Sequence, residues 1–357
     1  VLNNLQVLRA LAACLVVLTH TVSLNKPLLR PWLTWGEAGV DLFFVISGFV
    51  MVYTTADKSV TPHKFALNRI VRIVPMYWGL TLAVFAVALI APSLLQASRA
   101  DWGELLKSLF FIPFVKSNGL TQPVLFLGWT LNYEMFFYAL FALSLMIRSV
   151  GLRTGLMVVV LALLVAAGLL IEPASPIARF YTDPILLEFL FGMLLGYAHW
   201  RTRSSAIPLR WAHVAFGLAA VLVVPQIFIA TDGHRALTWG VPAALIVLGA
   251  LLLDLHGRSH QGRFLLLVGA ASYVLYLTHP FIAIPVEKLA VRLGLVELPV
   301  VLVSIVLEVS LATLVAIAVH LAIERPVTAV LRGWLAGDRG RPQWRDAFAL
   351  WPWRLKS

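Results

Sequence analysis

Cysteine occurs once in this chain, at Cys14. A single thiol excludes an intramolecular disulfide and any thiolate metal cluster, and it leaves the redox compartment unread. Charge is scarce as well. Charged residues make up 13% of the 357 positions against 60% hydrophobic ones, and the mean hydropathy of +0.88 lies outside the range of soluble globular domains. No long Pro- or Ser-rich linker, low-complexity stretch or internal repeat divides the sequence. Acids are the rarer sign, 17 against 28 Lys and Arg, for a net charge of +11. The basic residues are dispersed over short segments instead of forming one stripe, which argues against a nucleic-acid partner and for attraction to anionic headgroups.

What the sequence does have is apolar length. Windows long enough to cross a hydrocarbon core recur over residues 5–24, 38–56, 74–91, 124–147, 154–171, 183–200, 211–230, 237–254, 264–285 and 297–323. They predict an all-α integral membrane protein of about ten transmembrane helices in a single domain, residues 1–326, followed by a basic, Trp-containing cytoplasmic tail, 327–357. The first span lacks a basic lead and a small-residue cleavage site, so it reads as a retained helix and not a signal peptide. With the N-terminus cytoplasmic, eighteen Lys and Arg fall inside and nine outside, which favours an N-in, C-in topology. In the long outer connection from Pro92 to Pro123, Trp102, Leu105, Leu106, Leu109 and Phe110 fall at helical spacing. This predicts an amphipathic interfacial helix, either roofing a cavity or anchoring the surface.

Ionisable residues inside such spans are expensive and so mark function by default. Arg9 and His20 are eleven residues apart on the first span; at about 100° and 1.5 Å per residue they share one face, separated by about 16 Å. Depth counted along alternating spans places His20, Asp41, Glu134, Glu188 and His279 together in the outer third. Asp41, at the start of its span, is also suited to a plain capping role, while Glu134 sits among Trp129, Tyr133, Phe136, Phe137 and Tyr138, where an unpaired carboxylate would be strongly disfavoured. Arg9, Lys64, Arg69, Arg72 and Arg325 fall at the inner boundary, where cations can hold a phosphorylated ligand. Glycines at 36, 39, 48, 192 and 196 read as helix-packing positions, and Pro280 after His279 predicts a kink.

In order along the chain, several segments resemble one family, the ten-helix membrane acyltransferases of acyltransferase family three. They are Leu8-Arg9-Ala10 with His20; Gly39-Val40-Asp41-Leu42-Phe43-Phe44-Val45-Ile46-Ser47-Gly48-Phe49; and Phe65 with Asn68, Arg69, Arg72, Ile73, Pro75, Tyr77 and Trp78. Trp129-Thr130-Leu131 with Glu134, Phe137 and Tyr138 follows, then Ser272-Tyr273 with Tyr276-Leu277, His279 and Pro280, and last Glu324-Arg325-Pro326. One departure is Asn68, where the family often has a second arginine. The opening residues, without a fused esterase-like domain, are most similar to bacterial exopolysaccharide O-acetyltransferases.

The resemblance implies O-acylation of an extracytoplasmic or lipid-linked carbohydrate, with acetyl-CoA as donor substrate and no metal, in the bacterial inner membrane. It implies His20, Glu134, Asp41 and His279 as catalytic candidates, with His20 oriented by Glu134 and acting as general base or transient acyl carrier. Arg9, Lys64, Arg69, Arg72 and Arg325 become donor-binding candidates. Trp129, Tyr133, Glu188, Ser272 and Tyr273 become acceptor-side candidates. Polysaccharide-biosynthesis proteins and self-association are compatible partners. The same charged path also suits a transporter or flippase of a lipid-linked sugar or small anion, or a non-catalytic subunit of a polysaccharide synthase.

Overall fold

A computed structural model describes residues 2–22, 34–94, 100–202, 207–228, 235–294 and 297–335. Fourteen α-helices follow one another: α1 (Asn3–Val22), α2 (Ala38–Thr55), α3 (Pro62–Ile90), α4 (Trp102–Leu109), α5 (Gly128–Ser144), α6 (Val150–Ile171), α7 (Pro176–Tyr181) and α8 (Leu186–Arg201). Then come α9 (Arg210–Phe228), α10 (Val241–Leu255), α11 (Arg263–Thr278), α12 (Pro280–Arg292), α13 (Leu298–Val319) and α14 (Arg325–Leu335). π-helical turns at Ala236–Gly240 and His320–Glu324 lead into α10 and α14. No strand forms among the described residues, apart from an isolated bridge between Val115 and Thr121.

Local chemistry sets several helix starts. Thr61 accepts the Lys64 amide ahead of Pro62, Asp101 accepts that of Glu104 and Ser149 that of Leu152, each satisfying an otherwise orphaned donor. Among the described residues six helices are long and apolar enough to cross a bilayer; α11 and α12, bent by 59° at Pro280, pass the same test only when taken together, as a broken span or a re-entrant loop. The chain is therefore a multi-pass, all-α membrane protein. About ten crossings were expected, and helices do stand at the remaining positions, but α5 and α8 run only 17 and 16 residues. At 1.5 Å per residue they are about 25 Å long, short of a hydrocarbon core.

The shortness of α5 has a visible cause. Val124, Leu125 and Leu127, just before it, are 1 to 3% exposed. The chain is thus already inside the protein before it coils. The Val124 amide donates to Ser108 Oγ and the Leu127 carbonyl accepts from Tyr276, so this irregular backbone is satisfied by protein, the condition under which a membrane tolerates it. The amphipathic segment forms α4 as expected and is fastened to α3: Tyr77 donates to the Ser108 carbonyl and Trp78 Nε1 to that of Leu109. Of the expected tail, 327–335 continues as α14; residues 336–357 lie outside the described residues.

In lipid, helices gain little from leaving one apolar surface for another, so close backbone approach supplies the packing energy. α1 is central, packed on α2, α10, α11 and α13, and α2 lies along α8. The α2–α8 contact depends on Gly48 and Gly192, where an added Cβ would fall 2.1 Å from the Phe189 carbonyl oxygen and 2.0 Å from that of Val45. Gly192→Ala is expected to cost about 1–3 kcal/mol by forcing the pair apart. Gly217→Ala on α9, where nothing lies within 4 Å of an added Cβ, should not lower the melting midpoint. A fluorescence melt in detergent compares the two.

Candidate functional site

Five helices, α1, α2, α3, α5 and α11, enclose a cavity of about 140 Å³ whose polar lining includes Arg9, Ser47, Arg69, Arg72, Glu134, Tyr138 and Ser272. Arg9 donates to Ser272 Oγ at 3.0 Å and to Gln6 Oε1 at 3.3 Å. Arg69 lies against the rings of Phe65 and Tyr138 at 5.5 and 5.7 Å, and its Nε is buried with no hydrogen-bond partner. Glu134 Oε1 accepts from Ser47 Oγ at 3.1 Å and, at very short range, from the Tyr138 hydroxyl. Among the described residues no carboxylate forms an ion pair with any of these three arginines. Three guanidiniums around one small space, with unused donors, make a place for an anion.

One aromatic side chain links this cavity to a second polar group. Tyr276 lines the cavity, donates to the Leu127 carbonyl at 2.9 Å and meets Thr130 Oγ1 at 2.8 Å; its ring centre is 6.3 Å from that of His279. His279 in turn faces His20, with ring centres 4.9 Å apart. The bend at Pro280 leaves His279 at the end of α11, facing α1. Each imidazole Nδ1 contacts a carbonyl of its preceding turn, His20 to Val16 at 2.9 Å and His279 to Leu275 at 3.2 Å. A carbonyl can only accept, so Nδ1 carries the hydrogen and Nε2 the lone pair on both rings. His279 Nε2 is buried without a hydrogen-bond partner.

A third group surrounds Asp41. This carboxylate is fully buried and takes a two-pronged contact from Arg235, Nε to Oδ1 at 3.0 Å and NH2 to Oδ2 at 2.9 Å. Glu37 reaches Arg235 at 3.6 Å, and Glu188, fully buried, faces Asp41 and Arg235. Asp183, in the turn before α8, receives the Ile185 amide at 2.9 Å. Tyr133 stacks on Phe180 at 3.8 Å and meets the half-buried Trp129 edge-on at 6.0 Å.

The expected outer cluster thus resolves into separate groups. His20 and His279 come together, and Asp41 joins Glu188, but Glu134 lines the arginine cavity with Ser47 and Tyr138 as its partners. The depth count grouped it with the histidines by starting α5 at the membrane surface, whereas a segment already buried in protein precedes Gly128 and the partners of Glu134 are Ser47 and Tyr138. Ser272 and Tyr273, expected on the acceptor side, line the cavity too: Ser272 receives Arg9, and Tyr273 donates to the Ile73 carbonyl at 2.8 Å. Lys64 is exposed at the start of α3, and neither it nor Arg325 lines the cavity. Of the tail's tryptophans, Trp334 is exposed on α14, and Trp344, Trp351 and Trp353 lie outside the described residues. Arg235 escaped notice because it counted only toward loop charge; its signal was Asp41, an acid opening an apolar helix that needs a cation.

An acyltransferase-domain family model, acyltransferase family three, matches residues 2–325. The chain belongs to that family. This acyltransferase-3 chain is 37% identical to the exopolysaccharide production protein ExoZ of Rhizobium meliloti, over 82% of its own length and 90% of the relative's. It is 28% identical to the acyltransferase MdmB of Streptomyces mycarofaciens over 69% and 68% of the two chains. Against the peptidoglycan O-acetyltransferase OatA of Listeria monocytogenes it is 24% identical, covering 76% of itself and 48% of that longer protein. No solved structure matches.

The Asp41–Arg235 pair ties α2 to the π-turn before α10. Removing one partner of such a pair leaves the other charge uncompensated, so Asp41→Ala is expected to cost about 3 kcal/mol or more. Arg235→Gln added to Asp41→Asn should recover part of that loss. A double-mutant cycle on detergent melting midpoints measures the coupling, and additive losses would show that the contact carries no stability.

Proposed function

We propose that this acyltransferase-3 chain is a bacterial inner-membrane O-acetyltransferase. In this reading it moves an acetyl group from cytosolic acetyl-CoA to a hydroxyl of an extracytoplasmic or lipid-linked carbohydrate. The observation that supports it best is the succession of arginine cavity, Tyr276 and paired histidines. It orders an anion-binding end and an acid/base end along one path. A ten-helix, N-in, C-in arrangement would open the arginine end to the cytosol and set the histidines toward the far side.

The arginines fit the donor. Arg69 keeps a buried, unpartnered Nε, and Arg9 and Arg72 line the same space without a carboxylate in ion-pair contact. Phosphates there would turn mutual repulsion into charge-assisted hydrogen bonds. Bound, the donor supplies an activated thioester. His20, its Nδ1 hydrogen held on the Val16 carbonyl, presents the Nε2 lone pair to an acceptor hydroxyl. It takes the hydroxyl proton as the carbon–oxygen bond forms and the carbon–sulfur bond breaks, and then returns that proton to the leaving sulfur. His279, anchored in the same way on the Leu275 carbonyl, would pack against that ring and help hold its position. Trp129, half-buried, would offer the sugar an apolar ring face, with Tyr133 and the buried Asp41–Arg235–Glu188 group supporting that end from behind.

Purified protein given labelled acetyl-CoA and candidate glycans should transfer label, and His20→Ala should reduce transfer by about 100-fold or more, the usual worth of a general base. Rapid quenching separates two routes: acetyl trapped on His20 before product appears marks a covalent carrier, and its absence at full turnover marks direct transfer. Folded protein that binds CoA yet releases none with any acceptor would sink the enzymatic reading.

A further inference from the structure

The proposed proton transfers leave Glu134 without a part, yet it is an acid placed among arginines. Thr130, Glu134 and Tyr138 repeat every fourth residue on one face of α5, about 6 Å of rise per step, and all three line the cavity. The ends of this stripe differ. Thr130 touches Tyr276, the neighbour of His279, whereas the Tyr138 ring carries the Arg69 guanidinium. Glu134 lies midway, between the histidine end and the cation end. A carboxylate there repels phosphate, so phosphates are confined to the arginine side. It attracts N–H donors, and a carboxylate offers about four acceptor positions, of which Ser47 and Tyr138 occupy two.

We infer that Glu134 is a positioning residue that accepts an amide N–H from the donor's pantetheine arm and bars phosphate from the histidine half of the cavity. This rests on the reading that the donor is an acyl-CoA. The two effects together fix how deep the donor enters, and hence where its thioester meets His20. Hydroxyl groups alone, such as Ser47 and Thr130, would hold an arm without excluding an anion. The carboxylate does both.

Three unreactive probes separate the contributions: CoA, with both phosphates and arm; pantetheine, the arm alone; and adenosine 3′,5′-bisphosphate, phosphates alone. Their equilibrium binding is measured on the full-length protein in nanodiscs, pantetheine and the bisphosphate by competition against labelled CoA. Glu134→Ala should weaken CoA and pantetheine about tenfold, the effect of losing one charged hydrogen bond, and leave the bisphosphate unchanged or tighter. Arg72→Ala should show the opposite pattern, weakening CoA and the bisphosphate and sparing pantetheine. Glu134→Gln keeps an acceptor oxygen without the charge, so pantetheine should bind nearly as before while the bisphosphate tightens; this variant carries the test if the alanine form does not fold. Equal weakening of all three probes by Glu134→Ala, or no loss of pantetheine, overturns the role of Glu134 while acyl-CoA binding stands. Wild-type protein that binds none of the probes removes the acyl-CoA reading itself.

Discussion

The electrostatic constraint on this molecule is the gathering of three guanidiniums in one small space inside an apolar bundle. Like charges crowded together away from bulk water are costly, and Arg9, Arg69 and Arg72, each half-buried, line one cavity. Aromatic faces from Phe65 and Tyr138, one serine and one glutamine meet part of the demand. Among the described residues no carboxylate forms an ion pair with them, and Glu134 turns its Oε1 to hydroxyls instead. The cost is carried by the packing of the surrounding helices. Close contact at Gly48, Gly192 and Gly269, the last placing α11 against the Gln6 carbonyl of α1, makes the scaffold rigid enough to hold like charges side by side.

That same packing sets the geometry of the histidine end. α1 carries Arg9 near one end and His20 near the other, so a helix fixed at its centre fixes both ends of the path relative to each other. α11 repeats the pattern with Ser272 receiving Arg9 and His279 facing His20. Two helices thus share two contacts, one cationic and one imidazole, about three turns apart on α1 and two on α11. A shift of either helix along its axis would spoil both at once. The Pro280 bend contributes by ending α11 where the imidazole must turn toward α1.

Much of this was legible in the sequence because the membrane limits the alternatives. Apolar length marked the helices, and intramembrane charge marked Arg9, His20, Asp41 and Glu134 before any geometry was known. Pro280 marked its bend, and the glycines marked close contacts. What the sequence could not reveal was depth. A residue's level follows from its helix only if the helix starts at the surface, and α5 starts after a buried irregular segment. Glu134 was therefore grouped with the histidines when its neighbours are arginines. Partnership was equally hidden: Arg235 pairs with an acid 194 positions away, and nothing local distinguishes it from other loop cations.

The misplaced depth has a mechanistic meaning. A carboxylate beside His20 would have formed a charge pair that orients the imidazole and raises its basicity. Here Nδ1 of each histidine meets a backbone carbonyl of its own helix, and the two rings face each other. A carbonyl holds the ring but contributes no full charge; under the proposed base role of His20, such an anchor would suit a proton held briefly and passed on. Of the two acids expected beside them, Glu134 shares the arginine cavity and Asp41 is tied to Arg235. Each charge is thus answered within its own group, and the imidazole pair is held by backbone, so the helices that carry the pair, α1 and α11, set its geometry.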